Sequence, residues 1–307
     1  MKNKKKRVIC SIIMIVLMVA CAQLLDEKEI IFPEIAALLI GAWAQDLAPW
    51  RVTKPRLWLL MTISAMVGIA IVRYVDISLY GQIMLAFTYA VMAILISRCS
   101  LVPLISACIL PVIMGTTTMI YPISVSVMCG IIVLGQWGME KAGLREKQAY
   151  IPYVCDKEGY ETWIRRYLIV ALYTLIAVAS HQMYLIAPPL YVTFVELSNR
   201  RSPLRSSRYL LAFVMLLASL IGFFAKVLNL ELGLSTTLCA LIAMVLLFIM
   251  FEKTYTFFPP AGAIALLPFI LPYENILLFP LEVGLSSCVL VFLAMSFFKK
   301  GKNYHEI

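Results

Sequence analysis

Charge is scarce in this chain. Of 307 residues, 14% are charged and 62% hydrophobic, and the mean hydropathy is +0.92. Soluble domains carry roughly 25% charged residues, so no soluble domain of useful size fits and the chain reads as a polytopic membrane protein. Histidine is rarer still: His181 stands at the end of an apolar segment and His305 in the tail. There is no His-rich cluster, no Ser/His/Asp set and no Walker-type glycine loop. The sequence therefore offers no catalytic residue and no metal site, no cofactor is expected, and an intramembrane enzyme is disfavoured. Cysteine is present but unpaired in pattern. Cys10, Cys21, Cys99, Cys108, Cys129, Cys155, Cys239 and Cys288 include no Cys-x-x-Cys and read as small hydrophobes.

What is present is a series of apolar runs. The first, Val8–Leu25, follows the basic start Lys2–Arg7. Met18-Val19-Ala20-Cys21 hints at a lipoprotein cleavage site, but the run is long enough to cross a bilayer and is read as a retained first span. Eleven more follow, with cores at 30–46, 57–73, 79–96, 101–115, 121–139, 167–183, 186–197, 209–227, 234–251, 257–271 and 276–298. The net charge of +9 does not point to nucleic acid, because the basic residues fall in short loops between these runs. With the N-terminus inside, 23 of the 26 Lys and Arg lie in inner loops or at the termini. Lys28, Arg73 and Lys226 are the exceptions. This asymmetry predicts a multi-pass protein of the cell (plasma) membrane, both termini cytoplasmic, with the lipid bilayer as its first partner.

The long hydrophilic segment Met139–Trp163 divides the chain. The expected organisation is a first membrane half (1–138), a cytoplasmic linker (139–165), a second membrane half (166–298) and a cytoplasmic tail (299–307). The halves look like repeats: Pro33 matches Pro188, Gly68 matches Gly222, Pro103 matches Pro259, Pro111 matches Pro268 and Arg73 matches Lys226, all at nearly constant offset. Six segments per half is an even number, which predicts parallel repeats about an axis along the membrane normal. The predicted fold is all-α, with about twelve transmembrane or half-membrane segments.

Segments two, five, eight and eleven are short or proline-interrupted, the pattern that marks a binding site in a transporter. In segment eight, Ala187-Pro188-Pro189 opens a helix containing Thr193 and ending before Arg200 and Arg201. In segment eleven, Pro259-Pro260 opens a helix through Ala261, Gly262 and Ala263, whose far end is Pro272-Tyr273-Glu274-Asn275. Proline suits a helix's first turn, and small residues permit close approach. Entered from opposite faces, both helices would start near the midplane and direct positive dipole ends and free N–H groups at an anion or polar solute. Pro33-Glu34 and Pro103 would repeat this in the first half. The competing reading is that these prolines merely kink ordinary crossing helices.

Arg73 and Lys226 read either as an anion-attracting outer vestibule or as snorkelling cations at helix C-termini. Glu34, an intramembrane carboxylate at a helix start, is a functional candidate. Asp46 and Glu196 read as interfacial.

Phe258-Pro259-Pro260-Ala261-Gly262-Ala263 resembles the His-Pro-Pro-Ala-Gly-Ala signature of the HPP family of integral membrane proteins. The Ala187-Pro188-Pro189 start, the basic loop Arg200–Arg208 and the small-residue helix around Gly222 are similar to that family's domain in order and spacing. The resemblance covers residues 186–298, with the first half as a diverged copy. It implies a membrane domain of several helices, linked in some members to nitrite transport. Phe258 replaces the family's histidine, so a role resting on that imidazole, such as proton coupling, does not carry over. A looser resemblance to aromatic-acid exporters and fusaric acid resistance proteins rests on six-segment halves with an Arg-bearing inner loop. The function expected is a channel or secondary transporter for a small, nitrite-like anion. The alternatives are an exporter of aromatic or amphipathic acids and a non-transporting scaffold or sensor. A homo-oligomer remains open.

Overall fold

The computed structural model describes residues 2–200, 202–271 and 273–298, and every regular element among them is helical. In chain order these are α1 (Lys2–Leu24), α2 (Glu34–Leu39, continued as a π-helix over Ile40–Ala44), α3 (Lys54–Tyr74), α4 (Leu79–Ile96), α5 (Pro103–Met114) and α6 (Ile120–Lys141). Then come α7 (Lys157–Ala179), α8 (Pro188–Ser198), α9 (Arg208–Glu231), α10 (Thr236–Thr254), α11 (Pro259–Leu266, continued as a 3₁₀ turn over Leu267–Phe269) and α12 (Phe279–Phe297). Arg201, Pro272 and the predicted tail 299–307, with Lys299, Lys300, Lys302 and His305, lie outside the described residues.

Eight of the twelve helices are long and apolar enough to cross a membrane: α1, α3, α4, α6, α7, α9, α10 and α12. Of the roughly twelve transmembrane or half-membrane segments expected, the remaining four are too short to cross. α2, α5, α8 and α11 hold the second, fifth, eighth and eleventh places, and the longest has 12 residues. At 1.5 Å per residue that is ~18 Å, against ~30 Å of hydrocarbon.

Long and short helices differ in surroundings as well as length. On α1 the outward row Ile9, Ile13 and Leu17 is each more than half exposed, as are Ile123, Val127 and Leu134 on α6. A soluble bundle would carry charge on such faces, whereas apolar groups all round a helix suit lipid. The short helices are enclosed by protein. Every residue of α2 and α11 is buried, as is all of α8 except Glu196 and all of α5 through Val112. Helix ends inside a membrane are tolerated only in such a setting.

Two glycines let the long helices approach the short ones. A Cβ on Gly222 of α9 would lie 2.5 Å from the Ala265 carbonyl oxygen of α11. A Cβ on Gly68 of α3 would collide with the Cys108 carbonyl oxygen of α5 and stand 2.5 Å from Pro111 Cγ. Backbone meets backbone in both places, the arrangement small residues allow in membranes.

The connections on one face are tied together by polar contacts. Arg7 pairs with Asp46, Lys54 with Glu140 and Arg200 with Glu158. Tyr153 N–H donates to the Arg98 carbonyl at 2.8 Å, and Arg205 to the Phe298 carbonyl at 2.7 Å. The described start and end of the chain therefore share this face. The loop between α6 and α7 is 142–156, because the Asp156 carboxylate caps α7 through Gly159 N–H at 2.8 Å.

Arginines on that face close the C-terminal ends of short helices. Arg145 donates to the carbonyls of Gln45 (2.7 Å) and Trp43 (3.3 Å) where α2's π-helical continuation ends, and Arg7 joins at Gln45 (3.4 Å). Burial, then the neighbouring Arg7, lowers the Arg145 guanidinium to about 10. Arg205 reaches the Leu197 carbonyl at 2.8 Å. Arg166 gives Nε to Ser198 Oγ at 2.7 Å and a terminal nitrogen to the Val195 carbonyl at 3.2 Å, its guanidinium 4.4 Å from the Trp163 ring centroid. A cation here meets both orphan carbonyls and the negative dipole end. Arg166→Met removes both bonds while keeping the volume. It should lower unfolding free energy in detergent by about 3–6 kcal/mol, the worth of two charge-assisted bonds. Arg166→Lys should recover only part of this, because an ammonium cannot reproduce the two-point contact.

Candidate functional site

The first turns of the four short helices meet around one small cavity. Each helix contributes two lining residues three positions apart: Glu34 and Ala37 from α2, Pro103 and Ser106 from α5, Pro189 and Val192 from α8, Pro260 and Ala263 from α11. Trp50, from the loop after α2, completes the wall. The cavity measures about 10 Å³, room for about one water molecule. All nine lining residues are buried.

This meeting point follows from local sequence. Prolines fix φ near the helical value and carry no N–H, so each short helix starts where its proline or proline pair falls. Side chains three apart share a helix face, which puts residue i and i+3 of each first turn on the same wall. α2 packs against α11 and α5 against α8, and α11 also touches α8.

The structure brings Glu34, Pro103, Pro189, Pro260 and Ala263 together as lining residues. The other sequence candidates stand elsewhere. Pro33 is the N-cap of α2, and Pro188 and Pro259 begin their helices behind the residues that line the wall. Thr193 is buried with its hydroxyl bonded to the Pro189 carbonyl at 2.9 Å. A Cβ on Gly262 would collide with Ile40 and stand 3.2 Å from Ala36 Cβ. Its smallness therefore serves the α2–α11 contact rather than the approach of a solute. Arg73 donates to the Thr117 carbonyl in the connection beyond α5. Lys226 is buried and has Lys28, not Arg73, as its charged neighbour.

The expectation of free helix N–H groups is also corrected. In α8, Leu190 N–H is bonded to the Ala187 carbonyl at 2.8 Å. In α11, Ala261 N–H is bonded to the Phe258 carbonyl at 3.1 Å. Each proline pair removes two donors, and the next amide turns back to the residue before the pair. In α2 and α5, Ile35, Ala36, Leu104 and Ile105 likewise bond carbonyls of the preceding turn, at 2.9–3.3 Å. What faces the cavity is the aligned peptide dipoles, with no row of open donors.

Two polar side chains on the wall were not paired by sequence reasoning. Ser106 donates its hydroxyl to Glu34 Oε1. Glu34 is 1% exposed, and its other oxygen, Oε2, has no partner. Trp50 Nε1 donates to Glu196 Oε1 at 3.1 Å, which holds the indole against the cavity. Ser106 had a signal, three residues after Pro103, but its partner lies 72 positions earlier. Nothing local announced Trp50. Phe258 is fully buried and its carbonyl caps the first turn of α11.

Residues 157–305 match the family described as HPP, transmembrane region. Comparisons with curated proteins and with solved structures gave no match.

Proposed function

As the chain belongs, through residues 157–305, to the HPP family of integral membrane proteins, we propose that it is a secondary transporter for a small anion, with its solute site where α2, α5, α8 and α11 meet. The observation that carries this reading is the convergence of four first turns, two from each half of the chain, on one small cavity with buried walls. Their positive dipole ends favour negative charge in a water-poor site. The cavity's size suits a nitrite-like solute better than an aromatic acid.

Alternating access needs two bodies that rock against each other, and parallel repeats of six segments would supply them. The order long-short-long-long-short-long occurs twice along the chain. Gly68 meets α5 as Gly222 meets α11. Glu34 and Ala37 correspond to Pro189 and Val192, and Pro103 and Ser106 to Pro260 and Ala263. This pairs Pro103 with Pro260 rather than Pro259. The basic face bearing both described chain ends would be cytoplasmic by the positive-inside rule, in a plasma membrane.

The test is flux into liposomes holding the purified chain, with nitrite, nitrate, chloride and benzoate as solutes. Saturable flux of the small anions is the expected result. Benzoate flux alone would move the protein to the exporter reading. Absence of all flux from folded protein would leave a scaffold or sensor.

A further inference from the structure

We infer that Glu34 is a proton-binding site inside the solute site, so that each anion is bound and carried together with one proton. This rests on the transport reading above and adds the coupling ion to it.

The argument starts from a break in the internal correspondence. Of the eight lining positions on the four helices, six are apolar. The other two, Glu34 and Ser106, stand where the second half has Pro189 and Ala263. The two polar departures are bonded to each other. An architectural position would tolerate the same residues in both halves, and a carboxyl group at the centre of a membrane domain is expensive to keep. Packing alone gives no reason for it.

The surroundings then restrict what Glu34 can do. From α5 it faces the Ser106 hydroxyl. From α6 comes the Tyr121 hydroxyl, which is donated to the Ala107 carbonyl at 3.0 Å and which has the Cys108 and Cys129 thiols as its own further neighbours. α11 and the π-helical stretch contain no titratable residue, and the buried residues of α1's inner portion, such as Ile15, Met18 and Val19, are apolar. Across the cavity α8 presents Pro189 and Val192, with Glu196 a turn further on and bonded to Trp50. No Lys, Arg or His is among these groups. The positive dipole ends can therefore be answered by a Glu34 carboxylate or by a solute anion. Both together would place two negative charges in a cavity of about 10 Å³ with no counter-ion, which a low-dielectric site does not support.

Protonation resolves the conflict. A proton binds Oε2, the oxygen without a partner, while Oε1 keeps its bond from Ser106. The neutral acid no longer competes for the dipole field. No covalent bond other than this O–H forms or breaks. Release of the anion on the far side and loss of the proton go together. By linkage, a group that must bind a proton before the anion makes affinity fall as pH rises through its titration, by about tenfold per pH unit.

The experiment is calorimetric titration of the purified full chain with nitrite, and separately with chloride, in buffers of differing ionisation heat across a range of pH. Wild type is expected to take up one proton per anion bound and to lose affinity as pH rises. Glu34→Gln, a neutral isostere of the protonated acid, is expected to take up none and to bind with affinity flat in pH. Anion binding by wild type without proton uptake would overturn the inference and leave the anion site standing, as would undiminished uptake in Glu34→Gln. Absence of anion binding by folded wild type would instead remove the transport reading, and this inference with it. Should Glu34→Gln fail to fold or to bind, Ser106→Ala decides. It keeps the carboxyl but removes its donor, so it must shift the pH dependence, and an unmoved profile overturns the inference.

Discussion

Gly222→Ala is expected to destabilise the folded protein by about 3 kcal/mol, at the upper end of what one added carbon costs in a packed core. The new Cβ would sit 2.5 Å from the Ala265 carbonyl oxygen and 3.0 Å from its carbon. Both atoms belong to the backbone of a short helix enclosed on all sides, so neither can swing away as a side-chain tip could. Relief would require α11 to move off α9, which would also displace Pro260 and Ala263 from the cavity wall. Gly68→Ala should cost a similar amount, because its Cβ would meet the Cys108 carbonyl of α5 in the same manner. Gly138→Ala is the control: nothing lies within 4 Å of its Cβ, and alanine near the end of α6 should be neutral or stabilising by up to about 1 kcal/mol. Unfolding midpoints in detergent for the three variants check this. Equal behaviour of Gly222→Ala and Gly138→Ala would mean that the close contacts do not limit packing.

Ala263→Val should reduce anion flux by about 100-fold while leaving a folded protein. Two added methyl groups exceed the room in a cavity of about 10 Å³, and the wall opposite includes prolines that cannot change rotamer. The strain of overpacking one buried position is about 1–3 kcal/mol, which a helical membrane domain survives. Flux should fall far more, because the solute and the valine side chain would need the same space. Size-exclusion elution and an unfolding midpoint establish folding, and flux measured beside wild type tests the site. Flux within a few-fold of wild type in the folded variant would place the solute path elsewhere. The outcome is independent of Glu34, so it tests the location of the site apart from its coupling.

Much of the architecture was legible in the sequence because it depends on local chemistry. Pro33, Pro103, Pro188-Pro189 and Pro259-Pro260 marked the starts of the short helices, since a residue without an N–H belongs in a first turn wherever the chain places it. Gly68 and Gly222 were visible as matching landmarks. Two local readings failed at the next level. The free N–H groups expected in α8 and α11 are absent because the amides of Leu190 and Ala261 fold back on Ala187 and Phe258. Gly262 appeared to make space for a solute but makes it for Ala36 and Ile40.

By itself, the sequence determined that this is an all-helical membrane protein, which of its segments are too short to cross, and where those segments begin. Scarcity of charge, the placement of Lys and Arg, and proline stereochemistry act within a few residues and need no partner. Tertiary structure alone decided that Glu34 meets Ser106, that Trp50 closes the wall, and which glycine faces which backbone. In lipid, a long helix is apolar on every face, so no hydrophobic gradient along the chain says which side turns inward. That choice is made by the fit of small residues and buried polar groups between helices, and it exists only once the helices have packed.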